Sequence, residues 1–148
     1  MDIMILSAAD SLWSKVSTYA AACSWHAGAA LSQHMNSNGF TDWERVIVAL
    51  EQGKICGFCT VSKTDCIPDV PYSPYIGFVF VDEGYRGARL SEQMIRCAMD
   101  YLRTLGFHEV YLVSDHVNLY EKYGFQILDR KLAPWGTEEK IYTQSLRK

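Results

Sequence analysis

The stretch that decides the fold is Tyr75-Ile76-Gly77-Phe78-Val79-Phe80-Val81-Asp82-Glu83-Gly84-Tyr85-Arg86-Gly87-Ala88-Arg89-Leu90-Ser91. Seven largely apolar residues run without polar alternation, which reads as a central strand covered on both faces. A tight turn carrying Arg and Gly follows, and then the longest helical pattern of the chain, about Gly87 to Leu105. Leu90, Met94, Ala98, Leu102 and Leu105 form its apolar stripe, and Gly106 stands where a left-handed stop belongs. A helix start presents unpaired amide N–H groups and a partial positive charge, so it suits phosphate oxygens. Gly87 lets backbone approach a ligand closely, and Arg86 and Arg89 can add charge-assisted hydrogen bonds. On these residues alone the turn is a candidate anion site; a Gly turn before a helix that binds nothing is the plainer alternative.

Working backwards, Thr64 to Pro74 holds three prolines and two aspartates and reads as a loop. Arg45 to Leu50 and Ile55 to Lys63 are strands joined by the turn Glu51-Gln52-Gly53-Lys54, a hairpin signal. Earlier still, a short strand near Ile3 to Leu6 precedes two helices. The first places Trp13, Val16, Tyr19 and Ala20 on one face, and the second covers Ala27 to Met35. Working forwards, His108 to Val113 is a strand, and Asp115 caps a short helix running through Tyr123 to a stop at Gly124. Phe125 to Leu132 and Lys140 to Leu146 are two more strands around the turn Pro134-Trp135-Gly136. No linker or repeat interrupts this order, so residues 1–148 are expected to form one domain.

At 148 residues and 49% hydrophobic composition the chain can bury a core without staples. Net charge is −3 with signs interleaved, and no basic stripe for nucleic acid or an anionic membrane is present. No apolar run approaches the roughly 20 residues of a membrane span. Met1-Asp2-Ile3-Met4 lacks the basic segment of a signal peptide, so a cytoplasmic location is expected. Five irregularly spaced cysteines fit reduced thiols. Cys56 and Cys59 invite a metal or redox reading, but they fall within a strand, where residues three apart point to opposite faces. They are read as buried thiols, and no metal is expected.

Two motifs in this order carry a resemblance. Val81, Tyr85, Arg86, Gly87 and Leu90 match the cofactor turn of the GNAT superfamily of N-acetyltransferases, with Arg89 and Ser91 where that family has tiny residues. Leu119-Tyr120-Glu121-Lys122-Tyr123-Gly124-Phe125 matches a second signature of the same family, and Gly57 matches a third-strand glycine. The chain therefore resembles a single-domain GNAT member. That implies an α/β (α+β) fold: a mixed, mainly antiparallel sheet of about six to seven strands, flanked by helices and splayed between strands four and five. It also implies acetyl-CoA as acyl donor. Its pyrophosphate would lie on Arg86, Gly87, Ala88, Arg89, Leu90 and Ser91, and its pantetheine arm along the backbone of Val79, Phe80 and Val81. One strand amide would stabilise the oxyanion, and Asn118 is a further candidate pantetheine contact.

The resemblance implies N-acetylation of a primary amine by direct attack through a tetrahedral intermediate. A lysine-like amine is neutral in only about one part in a thousand at neutral pH, so a proton must leave it. The departing thiolate needs a proton, and Tyr120 stands where the family places that acid. The family often has a Glu early on strand four, where this chain has Tyr75. The base is open among Asp65, Asp69, Asp82, Glu83 and His116, and each is also an ordinary solvated or capping residue. Trp25, His26, Asp65, Tyr75 and His116 are candidate acceptor-side residues. Acids in the loop Thr64 to Tyr72 point to a cationic small-molecule or peptide amine. A homodimer fits such a chain. A non-catalytic acyl-CoA-binding or interaction module on the same fold is the alternative.

Overall fold

A computed structural model describes residues 1–147. Seven strands form one sheet in the spatial order β1-β2-β3-β4-β5-β7-β6. Their ranges are β1 Asp2–Leu6, β2 Arg45–Glu51, β3 Lys54–Ser62, β4 Tyr75–Val81, β5 Glu109–Ser114, β6 Gln126–Leu132 and β7 Glu138–Ser145. The helices are α1 Trp13–Ala22, α2 Gly28–Asn36 and α3 Leu90–Thr104. Every neighbouring pair is antiparallel except β4 and β5, which run parallel and pair only at Tyr75 and Tyr111. Beyond that point the two strands part, and the β5-facing edge of β4 is left without a ladder. This is the expected mixed, splayed sheet. Among the described residues no helix is long and apolar enough to cross a membrane.

Each face of the sheet has its own core. Leu90, Met94, Ile95, Ala98, Met99 and Leu102 of α3 pack on Ile47, Ala49, Val61 and Ile76, with Tyr120 and Phe125 in the same layer. Burying each large side chain there contributes about 1.5–3 kcal/mol. Leu105, expected in the stripe, is 45% exposed, because α3 ends at Thr104 and the chain then turns through Gly106. On the opposite face Trp13, Val16 and Ala20 of α1 and Leu31 and Met35 of α2 cover Val46, Val48, Phe58 and Phe80.

Two bulges set which residue faces which core. In β3, Ala49 pairs with Gly57 but Leu50 with Ile55, so Cys56 is an extra residue. The expectation that Cys56 and Cys59 point apart is therefore corrected. The bulge shifts the alternation by one, and both thiols lie fully buried in the α3-side core. In β4, Phe80 pairs with Phe58 and Gly77 with Thr60, so two residues oppose one across the ladder. Phe78 absorbs the mismatch at φ +48°, a left-handed conformation that costs a bulky residue on the order of 1–2 kcal/mol. Gly57 is required beside this strand. A β-carbon there would stand 2.6 Å from the Phe80 carbonyl oxygen.

The short helix expected between Asp115 and Tyr123 is a single 3₁₀ turn, Tyr120–Tyr123. Asp115 does not cap it, since the segment before Tyr120 is irregular and Asn118 is left-handed at φ +63°.

Candidate active site

The parting of β4 and β5 opens two cavities on either side of a shared wall. The first, about 450 Å³, lies between the end of β4 and the start of α3. The second, about 390 Å³, lies between β4, β5, the loop before β4 and the β6–β7 turn. Trp25, Val79, His116 and Tyr120 line both, so any group passing from one to the other passes these four.

The first cavity is built mainly from backbone. α3 begins at Leu90 and not at Gly87, because Arg89 sits left-handed at φ +58° as the residue before the helix. The bond from Gln93 N–H to Arg89 C=O opens the helix, and the amides ahead of it have no carbonyl within it. Gly87 turns the chain at φ +90°, with nothing within 4 Å of where a β-carbon would stand, so conformation alone demands glycine. The two arginines are committed to the protein. Arg86 Nε donates to the Val81 carbonyl at 2.9 Å, with its guanidinium 5.7 Å from the Phe80 ring. Arg89 Nε donates to Glu92 at 2.6 Å, and its guanidinium lies 5.7 Å from the Tyr123 ring. Ser91 is bonded to the Tyr123 hydroxyl at 2.8 Å. Val79, Phe80, Val81, Arg86, Gly87, Arg89, Leu90, Ser91 and Tyr120 line this cavity. Ala88 does not, because the turn directs it to solvent, and neither does Asn118, because the left-handed turn at 118 leaves it exposed. Lys122 is exposed away from it.

Tyr120 is 4% exposed, with its ring against those of Tyr123, Phe125 and Tyr142. Burial above all, then the neighbouring Tyr123, pushes its pKa up, so the phenol keeps its proton. His116 stands beside it with ring centroids 6.1 Å apart. The His116 backbone is held by the Ser114 hydroxyl and by the Tyr142 hydroxyl.

Side chains dominate the second cavity. Asp65, Asp115 and Glu139 line it, with Trp25 and Trp135. The Asp65 carboxylate lies over Gly77 of β4, 3.6 Å from where a β-carbon would stand. Burial pushes its pKa up to about 6, against the opposing effect of the Cys66 backbone N–H. Burial, then Asp65 and Glu139, push the adjacent Cys66 thiol up to about 12, which keeps it protonated. Tyr75 does not line the cavity: where β4 still pairs with β5 its ring packs beside Tyr111, and its buried hydroxyl has no partner. His26 is exposed and lines neither cavity, since Trp25 takes the inward position and stacks on Phe80 at 5.9 Å. Asp69 is exposed. Asp82 accepts from the Tyr19 hydroxyl at 2.6 Å and from Gly84 N–H, and the Tyr19 bond holds its pKa below the ordinary range. Of the five base candidates only Asp65 and His116 reach the cavities. Glu139 and Trp135 were not legible as site residues, because only the folding of β7 against β5 brings them beside the Asp65 loop. Among the described residues no group of three His, Cys, Asp or Glu side chains is arranged to hold a metal ion.

This split sheet with a helix start at its mouth is an acetyltransferase architecture. The model of the acetyltransferase (GNAT) family matches residues 13–125, and the chain belongs to that family. Solved structures repeat the fold. An aminoglycoside 6'-N-acetyltransferase from Enterococcus faecium is 14% identical, with a TM-score of 0.75 over 100% of this chain and 98% of that one. A GNAT family N-acetyltransferase from Escherichia coli in complex with CoA is 23% identical, with a TM-score of 0.73 over 99% and 81%. A putative acetyltransferase from Salmonella typhimurium with its cofactor acetyl-CoA is 15% identical, with a TM-score of 0.66 over 100% and 95%. No curated protein sequence matches the chain.

Proposed function

We propose that residues 1–148 act as one domain that transfers the acetyl group of acetyl-CoA directly to a primary amine. The observation that carries this reading is the pair of cavities meeting at Val79, Tyr120, His116 and Trp25. A donor in one and an acceptor in the other react across that wall without a covalent enzyme intermediate. The pyrophosphate takes the free amides between Gly87 and Ser91. The pantetheine arm pairs with the open edge of β4 from Val79 to Val81. A β4 amide then faces the thioester oxygen as it becomes an oxyanion.

His116 reaches both cavities and takes the proton from the incoming ammonium, directly or through water. The neutral amine attacks the thioester carbon, and the tetrahedral intermediate collapses with the C–S bond breaking, while its second nitrogen proton passes by way of water to replace the one Tyr120 gives up. Tyr120, kept protonated by burial, gives its proton to the departing thiolate. The structures bound to CoA and acetyl-CoA among the fold's neighbours support the choice of donor. Release of free CoA thiol from acetyl-CoA, followed against a panel of primary amines, tests the reading. Amine-dependent release is expected. Acetyl-CoA binding with no thiol released by any amine would make the chain a non-catalytic acyl-CoA-binding module.

A further inference from the structure

The acceptor cavity carries more negative charge than a single reacting amine requires. Asp65, Asp115 and Glu139 line it, and among the described residues no Lys or Arg does. Four carboxylates elsewhere pair with cations: Asp42 with Lys63, Glu92 with Arg89 and Arg96, Asp100 with Arg103, Asp129 with Lys131. Among the described residues neither Asp65 nor Glu139 has such a partner. Asp65 takes only the Cys66 N–H, and its side chain is buried enough for desolvation to dominate its titration. Glu139 is 8% exposed and accepts only from the Thr137 hydroxyl. Lys140, next in sequence, is turned to the His116 carbonyl. Asp65 and Glu139 line the same cavity, with Cys66. A buried, uncompensated carboxylate is costly unless a cation arrives to pair with it.

Position separates this pair from the reacting wall. Of the two cavities, Asp65 and Glu139 line only the acceptor one, whereas His116 and Tyr120 line both; Asp65 also borders a neighbouring cavity with Glu44 and Lys63. We infer that the acceptor is at least dicationic: one amine lies against His116 and Tyr120 and is acetylated, while a second ammonium docks between Asp65 and Glu139. Trp135, 61% exposed at the cavity mouth, offers a ring face to the same charge. A flexible di- or polyamine and a rigid amino-sugar share this chemistry. A zwitterionic amino acid does not, because its carboxylate would meet Asp65 and Glu139.

The inference rests on the acetyl-transfer reading, and the test separates the two. Wild-type protein is assayed with acetyl-CoA and α,ω-diaminoalkanes of increasing length, matched monoamines, matched ω-amino acids, and kanamycin as a rigid polyamine. The best dication is expected to exceed its monoamine in kcat/KM by roughly ten- to a hundredfold, through KM. Asp65→Asn and Glu139→Gln are expected to lose at least about tenfold more with the dication than with the monoamine. Melting of each variant, with Asp65→Glu as a charge-retaining control, separates loss of fold from loss of docking. A monoamine or ω-amino acid used as well as every dication overturns the inference and leaves the transfer reading standing. If no amine is acetylated, the transfer reading fails, and thermal protection of the CoA-bound protein decides the inference. Protection by a diamine but not its monoamine supports it, and equal or absent protection overturns it.

Discussion

The two cavities flanking β4 are made by opposite means. Amides of the α3 first turn, the open β4 edge and two left-handed residues at 87 and 89 shape the proposed donor side. Side chains from three separate elements shape the acceptor side: Asp65 on a loop, His116 after β5 and Glu139 on β7. A backbone-built site tolerates changes of side chain. Arg89 and Ser91 stand where the family has tiny residues, yet Glu92 and Tyr123 hold both of them. A side-chain site has no such tolerance, and each carboxylate is a separate determinant of what binds.

The wall common to both sides is where that contrast breaks most easily. Tyr120→Phe removes one oxygen and is expected to lower kcat by about 10²- to 10⁴-fold. Acetyl-CoA affinity by titration calorimetry should change little. Full activity at every pH would show that the thiolate leaves unassisted. On the donor side, Gly87→Val meets no steric obstacle but must hold φ +90°. The turn should be destabilised by about 1–2 kcal/mol, weakening acetyl-CoA roughly tenfold.

Asp65→Asn tests the acceptor side through stability. The folded-state pKa of Asp65, about 6, lies above the ordinary carboxylate value near 3.9. The native state therefore binds this proton more tightly than the unfolded chain. Ionised Asp65 costs stability above pH 6, and the cost fades as pH falls from 6 towards 4. The Asn variant of the unliganded protein should melt a few degrees higher at pH 8. It should match wild type near pH 4. A variant less stable at pH 8 would show that Asp65 already has a cation partner. The smallest change is expected from Arg89→Gly, with acetyl-CoA affinity within about threefold. Losing an exposed pair with Glu92 is offset by relief of the left-handed strain at φ +58°. A larger loss would move Arg89 from holding the helix start to holding a phosphate.

The same contrast governs what could be read from the sequence. The donor side depends on residues adjacent in the chain, so strand, turn, helix and the later Tyr120 signature were legible in order. Its fine structure was not. Whether α3 starts at 87 or 90 turns on one left-handed arginine, and left-handed arginine has no local signature. Cys56 and Cys59 were placed on opposite faces because a bulge is invisible to period-two reading. The acceptor side gave up Asp65, Trp25 and His116, but not Glu139 or Trp135. Those two are distant in sequence from Asp65, and sheet closure alone brings them near. His26, Asn118 and Ala88 line neither cavity, because adjacency in the chain says nothing about which neighbour turns inward.

The bulge at Phe78 has a bearing on chain length as well as on shape. It resets the phase of β4. Ahead of it Ile76 belongs to the α3 side, and after it Val79 and Val81 do, with Phe80 on the other. Removing the extra residue would leave all three on their present faces, whereas straightening β4 with every residue kept would exchange them. Phe80 would be driven towards α3, and Val79 would swing away from the wall it shares between donor and acceptor. A deletion that removes the bulge keeps that phase, and loss of the bulge with all seven residues kept does not. The position therefore works as a frame marker, because the left-handed turn at Phe78 decides which later side chains face each core.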